Sequence, residues 1–497
     1  MPVVAPSSTL FSPPCILQDQ LFDLTSIARH VQPREEDGTS ADLHSRQPLA
    51  AAQIGLGILS HFCGPELIDR ALAEREAGAE RRRKLPPRLT VGALLLMGLG
   101  RRLGYRSLMI ELGDAAGSTN WSPPTASAFA QARQRLGSEV MERLYHLHAQ
   151  PLAEPDTPGS FWRGRRIVAI DGTTMQLEDV PELEDAFGGQ VVAGQRVGPP
   201  MLRTVSLVEC GTRAQLDAEY DRYDTGEIEM ATRLAPSLRL GMLALADRNF
   251  FQTEFWKTCR TRGADLLWRI KGNVATKVIE TLPDGSYLAQ FRYRRHRDKQ
   301  HPPLTIRVIE YAIEGSDETY RLATNLLDPQ TAPAAELARL YTERWEIELS
   351  YREIKAVQLD GKGLRSQTED GVRQEFWSVQ TAYNISRRLC HQAAMVLEEG
   401  DPDQISFSLA LNRILRSVKK VAGLQVRVLR AAAHFAARAL SDPRHLLKRR
   451  DRTCPRVVRQ RRDRYANRGT YRGPASVHQD RCPPIRVCGA LDPSRTP

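Results

Sequence analysis

The chain has 497 residues, a formal net charge of +11 and 26% charged residues. This length predicts two or three domains, and an Arg-rich basic excess favours phosphate contacts, although an unrelated basic enzyme remains an alternative. The eight cysteines include no C-x-x-C pair, which argues against a zinc site or a disulfide framework. No apolar run is long enough for a bilayer and no signal peptide is evident, so we expect a cytoplasmic protein without a membrane partner.

Residues 1–155 are predicted to form a helical N-terminal DNA-binding domain. Apolar spacing indicates helices over 21–30, 50–61, 66–83, 91–99 and 127–148, with Ser122 or Thr125 as the cap of the last one. A basic cluster over 81–84, together with Arg133 and Arg135, is compatible with DNA binding. A solvated helix end is the alternative interpretation of that cluster.

Residues 160–362 are predicted to form a mixed α/β core after a Pro-rich linker. Strands are expected over 166–170, 201–209, 214–220, 243–246 and 265–271, and helices over 226–238 and 252–261. The first strand ends at Asp171 and the fourth at Asp247. A β-rich insertion is expected at about 272–320, followed by a strand over 322–327.

Residues 335–359 are predicted to form one long helix with an unusual cross-section. At about 100° per residue, one sector collects Tyr341, Arg344, Glu348, Tyr351, Arg352 and Lys355. The opposite side collects Glu343, Glu346, Ser350 and Glu353, which we expect to be a solvated acidic face that tolerates alanine. Glu348 therefore lies on the side that the helix should bury, where a carboxylate is costly unless a cation or a metal meets it.

The rest of the chain is predicted to be helical and then unstructured. Residues 363–441 contain apolar periodicity over 372–399 and 406–437. Residues 442–497 are Arg-rich without that periodicity, which predicts a basic, disordered tail. Tracking of DNA phosphates and simple solubilisation are both compatible with such a tail.

Three carboxylates stand out as candidate catalytic groups. Asp171 and Asp247 end strands, where crevices at the rim of a sheet hold ligands, and Glu348 is presented by the long helix. Such oxygens suit two hard divalent cations and in-line displacement at phosphorus. The alternatives are that each Asp only forms a turn and that Glu348 only pairs with Arg344 or Arg352.

The spacing of Tyr341, Arg344, Glu348 and Lys355, Y-x2-R-x3-E-x6-K, resembles the signature of bacterial DDE transposases of the insertion-element-four type. The segments AIDGTT around Asp171, LALADRNFF around Asp247 and LLWRIKGN resemble the same family. The resemblance covers roughly residues 11–472.

This resemblance implies a ribonuclease-H-like fold and a cut-and-paste DNA transposase. Asp171, Asp247 and Glu348 would hold two Mg²⁺ or Mn²⁺ ions, and the partners would be terminal inverted repeats, target DNA and a second copy of the chain. The protein would then be associated with the nucleoid. The implied DNA-binding residues are Tyr341, Arg344, Arg352, Lys355, Arg269 and Lys271.

The family resemblance also places hairpin DNA and a flipped base at the β-rich insertion. Trp268, Tyr287 or Tyr293 would stack on that base, although a core position is the favoured interpretation of Trp268. Two alternative functions are a ribonuclease-H-like nuclease or resolvase that cuts without joining, and an element remnant that binds DNA without cutting it. The intact carboxylate triad argues against the remnant.

Overall fold

A computed structural model provides the fold of the chain. It describes residues 56–73, 85–100, 104–115, 124–291, 303–313, 319–398, 400–420, 426–447 and 485–488. Its α-helices are α1 (Ile58–Phe62), α2 (Pro65–Leu72), α3 (Pro87–Gly98), α4 (Tyr105–Ala115), α5 (Ala126–Leu136), α6 (Glu139–His148), α7 (Pro181–Phe187), α8 (Glu227–Leu234), α9 (Thr253–Thr261), α10 (Ala334–Leu340), α11 (Trp345–Arg352), α12 (Glu369–Ala394), α13 (Phe407–Lys420) and α14 (Val426–Leu440).

The strands follow in chain order. They are β1 (Phe161–Trp162), β2 (Arg165–Gln176), β3 (Val191–Val192), β4 (Gln195–Arg196), β5 (Met201–Glu209), β6 (Gln215–Arg222), β7 (Met242–Ala246), β8 (Asp265–Arg269), β9 (Lys277–Thr281), β10 (Tyr287–Phe291), β11 (Leu304–Ile313), β12 (Thr319–Thr324) and β13 (Ile485–Val487). Strands β3 and β4 form a separate hairpin, and the others share one sheet.

The first half of the large sheet has the order β6-β5-β2-β7-β8. Strand β5 runs antiparallel to both β2 and β6, whereas β2, β7 and β8 run parallel to one another. Parallel neighbours need a helical crossover, which α8 and α9 provide. This mixed order, with helices on both faces, is a ribonuclease-H-like core and confirms the predicted fold class.

The predicted β-rich insertion continues the same sheet. Strand β8 pairs antiparallel with β12, and β11, β10 and β9 follow outward. Strand β13 pairs with β11, with Tyr311 opposite Val487. The expectation of a disordered tail does not hold for Ile485–Val487, because this segment pairs with β11 at Tyr311–Ile313, beyond the residues that pair with β10.

The two faces of the core sheet are covered by different elements. Ile167 and Ala169 of β2 belong to one buried cluster, whereas Val168 and Ile170 belong to another. Side chains alternate between faces along a strand, so odd-numbered positions of β2 project towards α10 and α11. Even-numbered positions project towards α8 and α9.

The helices before and after the sheet share one hydrophobic core. Buried residues between 56 and 149 and between 354 and 440 form a single cluster. Helix α3 approaches α12 so closely that a Cβ on Gly98 would overlap the carbonyl group of Ser378. The two regions that sequence patterns separate into N-terminal and C-terminal parts thus pack as one helical layer.

Local signals explain several helix ends. Thr125 caps α5 by accepting a hydrogen bond from the Ala128 amide at 3.2 Å, as predicted. Gly137, with φ at 77°, ends α5, so the predicted helix over 127–148 is two helices. Similarly, the segment 406–437 contains α13 and α14 rather than one helix.

Arg133, named with the basic cluster as compatible with DNA binding, has a structural role. Its buried guanidinium donates hydrogen bonds to Gln374 Oε1 at 3.0 Å, Ser366 Oγ at 3.0 Å and the Gly371 carbonyl oxygen at 2.8 Å. It therefore ties α5 to the start of α12. The expected helix over 21–30 and the basic cluster 81–84 lie outside the described residues, and no helix within the described part is long and apolar enough to cross a membrane.

Candidate functional site

Strands β2 and β7 bring Asp171 and Asp247 together. They are parallel with Ile170 opposite Ala246, so the next residue of each chain, Asp171 and Asp247, lies at the same level of the sheet. Asp171 shares the face of Ile167 and Ala169, and Asp247 follows the odd-numbered residues of β7 onto that face. Both carboxylates therefore lie beneath the helix that carries Glu348.

The sequence prediction that Asp171 ends its strand is wrong. Strand β2 continues to Gln176, paired with β5, and only β7 stops before its aspartate. Because β7 ends at Ala246, β2 has no parallel partner beyond Ile170. Asp171 is consequently a mid-strand residue at the notch where β7 ends.

The predicted long helix is a continuous helical run with three geometries. Helix α10 passes into a 3₁₀ turn (Tyr341–Arg344), then α11, and then a π-helical turn (Glu353–Gln358). The Leu359 amide donates to the Ile354 carbonyl oxygen at 2.8 Å, the spacing of a π-turn. Tight and wide turns on both sides of α11 adjust which side chains face the sheet.

Arg344 connects two of the three carboxylates. Its Nη2 donates to Glu348 Oε1 at 2.9 Å, one turn along the run, and its Nη1 donates to Asp171 Oδ2 at 3.3 Å. The Arg344 residue is only 7% exposed. The pairing of Glu348 with Arg344, one of the alternatives considered from the sequence, thus coexists with a cluster of acidic groups.

The electrostatics of the site centre on Asp171. Burial raises the pKa of its carboxyl to about 6, whereas Arg344 and the Gly172 amide lower it, and the charges of Glu348 and Asp247 raise it. A carboxylate influenced by two others in a partly buried notch is typical of a functional site rather than of a turn former.

Two tyrosines fix the backbone that carries the aspartates. Tyr341 donates from its hydroxyl to the Ala246 carbonyl oxygen at 3.1 Å, and Tyr351 donates to the Asp171 carbonyl oxygen at 2.6 Å. Both side chains are buried, which raises their pKa values. In this DNA-free structure the Tyr341 hydroxyl is thus used on the backbone next to Asp247, and its predicted contact with DNA stays a prediction.

The other predicted DNA-binding cations surround the site at different depths. Lys355 donates from Nζ to Thr173 Oγ1 at 2.7 Å, and burial lowers the pKa of its amine. Arg269 lies over the ring of Tyr320 at 4.6 Å. Arg352 and Lys271 are exposed.

The predicted solvated acidic face of the helix is wrong. Glu346 and Ser350 are fully buried and Glu353 is mostly buried, and both glutamates pair with Arg213 at the turn between β5 and β6. Helical periodicity indicates where charges lie around a helix, but it does not indicate whether another part of the chain covers them. Arg213 was missed because a single Arg after Gly211-Thr212 carries no local signal of burial.

The candidate base-stacking residues are mostly part of the core. Trp268 is fully buried and stacks on Phe255 with ring centroids 5.1 Å apart, which confirms the core interpretation. Tyr287 is 4% exposed and donates to Glu310 Oε1 at 2.7 Å, so stacking of a base on this ring is contradicted. Tyr293 lies outside the described residues.

The donor chemistry of the site fits a hard divalent cation, because three carboxylates supply the oxygen ligands that such ions prefer. As arranged, the described residues contain no group of three or more His, Cys, Asp or Glu side chains that could hold a metal ion together. Arg344 lies between Asp171 and Glu348 and pairs with both. Any rearrangement that brings the three carboxylates onto shared ions must therefore accommodate these two ion pairs.

Comparison with protein families gives two matches that divide the chain. The family described as transposase DDE domain matches residues 162–385, which contain all three carboxylates. The family described as insertion element 4 transposase N-terminal matches residues 53–146. The two matches correspond to the sheet with its covering helices and to the preceding helices.

Two curated relatives from Escherichia coli K12 are similar over long stretches. The transposase InsG for insertion sequence element IS4 is 31% identical over 438 residues, covering 86% of this chain and 97% of that protein. The putative transposase InsZ is 25% identical over 244 residues, covering 48% of this chain and 78% of that protein. Among solved structures, the synaptic complex of piggyBac transposase with hairpin DNA matches with a TM-score of 0.41 and 10% identity, covering 83% of this chain and 87% of that one.

Proposed function

Since the chain belongs to the insertion-element-four family of DDE transposases, we propose that it cuts DNA at the inverted repeats of its element and joins the freed ends to target DNA. The protein is a DNA transposase that depends on a divalent metal. The observation that carries the detailed proposal is the meeting of Asp171 and Asp247 on one sheet face beneath the helix bearing Glu348.

We assign the three carboxylates as the residues that hold two Mg²⁺ ions, with Mn²⁺ as a substitute. When bound, such a pair activates the attacking oxygen and stabilises the leaving one at phosphorus. Asp171 must be ionised to contribute, and in the metal-free protein burial raises the pKa of its carboxyl to about 6. Tyr341 and Tyr351 hold the backbone of the two aspartates in place.

The cations around the carboxylates are proposed to bind DNA phosphates. Arg352 and Lys271 are exposed and are suited to the flanking backbone. Arg344, Lys355 and Arg269 lie deeper, so their contacts would form close to the reacting phosphodiester. Within this proposal, a homodimer would hold two element ends in one synaptic complex in the nucleoid.

The test is metal-dependent cleavage of a DNA fragment that carries the element's own inverted repeats. We expect cleavage with Mg²⁺ and its loss in Asp171→Asn, Asp247→Asn and Glu348→Gln. The matched control is Glu336→Gln, which neutralises an exposed carboxylate on α10 that pairs with Arg163. Equal cleavage by the wild type and the three triad variants would refute the assignment.

A second assay separates transposition from cutting alone. Pre-cleaved ends are incubated with supercoiled plasmid, and joined products are measured. Joining supports the transposase mechanism, whereas cleavage without joining would support a nuclease or resolvase. The mass of the complex with two DNA ends tests the proposed dimer.

A further inference from the structure

A second ionic cluster lies on the side of the helical run that faces away from Asp171. Its centre is Arg213, in the turn between β5 and β6, where the backbone φ is 59°. This left-handed conformation is uncommon for a residue other than glycine. The side chain of Arg213 is only 10% exposed, so the strained turn directs a cation into the interior.

All three guanidinium nitrogens of Arg213 donate to carboxylates. Its Nε donates to Glu346 Oε2 at 2.6 Å, its Nη1 donates to Glu353 Oε1 at 2.7 Å, and its Nη2 donates to Asp403. Burial alone would lower its pKa, but Glu353 and Asp403 raise it well above the ordinary value. The planar guanidinium suits this role, because it presents donors in fixed directions.

Helix α12 closes the cluster from the other side. The Tyr383 hydroxyl lies 3.0 Å from Glu353 Oε2 and 3.2 Å from the Arg213 carbonyl oxygen, and its single proton can be donated to either acceptor. Arg387, fully buried, donates from Nε to the Thr212 carbonyl oxygen at 2.7 Å. The turn, the helical run and α12 are thereby joined through one polar network.

The geometry of the helix links this network to the site. Glu346 and Glu353 precede and follow Glu348, and at about 100° per residue they project from the opposite side of the same run. Glu353 also begins the π-helical turn that contains Lys355. Because Arg213 pairs with both Glu346 and Glu353, it fixes the rotation of α11 about its axis. The direction in which Glu348 points is fixed with it.

We propose that Arg213 is a positioning residue for Glu348, acting through Glu346 and Glu353. This inference rests on the proposed role of Glu348 in cleavage. A buried ionic network often contributes only to stability or specificity of the fold, so the test needs measurements that a purely structural network would not change.

The variants are Arg213→Lys, which keeps the charge but loses the fork of donors, and Glu346→Gln, which keeps the shape and an acceptor. The matched control is Arg163→Met. Arg163 also has a positive φ, at 46°, and its Nη2 lies 2.8 Å from Glu336 Oε1 on the same helical run, but this pair is exposed. All variants are compared as full-length protein at a temperature where each is folded.

Single-turnover cleavage and DNA affinity are measured across a Mg²⁺ titration. Misplacement of a reacting group by about 1 Å costs about 100-fold in rate, so we expect about 10- to 100-fold slower cleavage in Arg213→Lys and a smaller loss in Glu346→Gln. The half-saturating Mg²⁺ concentration should rise several-fold, while DNA affinity stays near that of the wild type. Arg163→Met should match the wild type in all three measurements.

Hydrogen–deuterium exchange of the amides in Trp345–Arg352 provides a readout that needs no activity. We expect faster exchange in Arg213→Lys than in the wild type and no change in Arg163→Met. Lower thermal stability with unchanged cleavage, Mg²⁺ dependence and exchange would overturn the inference. If the wild type showed no triad-dependent cleavage, the proposed function would fail, and exchange alone would decide whether Arg213 holds this helix.

Discussion

The guanidinium of Arg344 donates to the Asp171 carboxylate, with Nη1 3.3 Å from Oδ2, although the two residues come from a helix and a strand far apart in the sequence. Burial raises the pKa of Asp171, and Arg344 opposes that rise. Arg344, a residue of the Y-x2-R-x3-E-x6-K signature, therefore influences the charge state of a carboxylate that lies outside that signature.

Replacement of Arg344 by Met is predicted to raise the pKa of Asp171 above its wild-type value of about 6. Carboxyl-carbon NMR titration of the DNA-free protein measures this pKa directly. Arg339→Met, an exposed Arg on α10, serves as the control, and equal titration of Asp171 in wild type and Arg344→Met would contradict the prediction.

The Asp171→Asn variant is predicted to be inactive but more stable at neutral pH. Because the folded-state pKa is raised from 3.8 to about 6, ionised Asp171 costs stability, which falls as pH rises through this window. The full shift corresponds to at most about 3 kcal/mol, and we expect a gain of about 1–2 kcal/mol at pH 7.5 because the side chain is partly exposed. Urea unfolding of the wild type and the variant at pH 7.5 and pH 4 measures this gain in stability. An equal gain at both pH values would exclude ionisation of Asp171 as its cause.

The Tyr341→Phe variant is predicted to lose stability and cleavage without losing DNA affinity. Removing the hydroxyl removes its hydrogen bond to the Ala246 carbonyl oxygen, at a cost of about 1 kcal/mol. The backbone at Ala246, the residue before Asp247, is then held less firmly. Urea unfolding, cleavage and DNA binding are measured in parallel. A large fall in affinity would instead indicate that Tyr341 contacts DNA directly.

The Lys271→Ala variant is predicted to weaken DNA binding through the phosphate backbone. Lys271 is exposed and lies two residues beyond the end of β8, the strand that pairs with β7 up to the residue before Asp247. Loss of one phosphate contact reduces the slope of log affinity against log salt by about 0.9. The control is Lys257→Ala, on α9, which covers the opposite face of the sheet. Equal salt slopes for the two variants would argue against a contact between Lys271 and the DNA backbone.

The Gly98→Ala variant is predicted to destabilise the protein through the shared helical layer. A Cβ there would overlap the carbonyl group of Ser378 on α12, and such overpacking costs about 1–3 kcal/mol. Gly104→Ala is the matched control, because nothing lies within 4 Å of its Cβ position. Thermal unfolding of both variants measures the difference, and equal stability would mean that α3 and α12 do not pack this closely.

The order of strands along the chain and the three candidate carboxylates were predictable from the sequence because their signals are local. Short apolar runs before Asp171 and Asp247 and the spacing around Glu348 each fit within one element. The parallel register of β2 and β7 then follows from the fold class, and it brings the two aspartates together. The exact end of β2 was not predictable, since pairing with β5 extends that strand beyond its apolar run.

Burial of charge was the property that sequence patterns misjudged. Arg133, Glu346 and Glu353 have the periodicity of solvated residues, yet each lies at a contact with an element more than 100 residues away. A charge becomes stable in the interior only when the fold supplies its partner, and that partner is invisible to local spacing.

The sequence by itself therefore determined the three carboxylates that we propose for the chemistry and the chain order of the elements that present them. Tertiary structure alone decided what holds those residues in place. Arg344 bridges Asp171 and Glu348, and Arg213 grips the opposite side of the same helical run. The physical reason is that ion pairs between distant segments depend on packing of the whole layer, whereas apolar periodicity and motif spacing are properties of one segment.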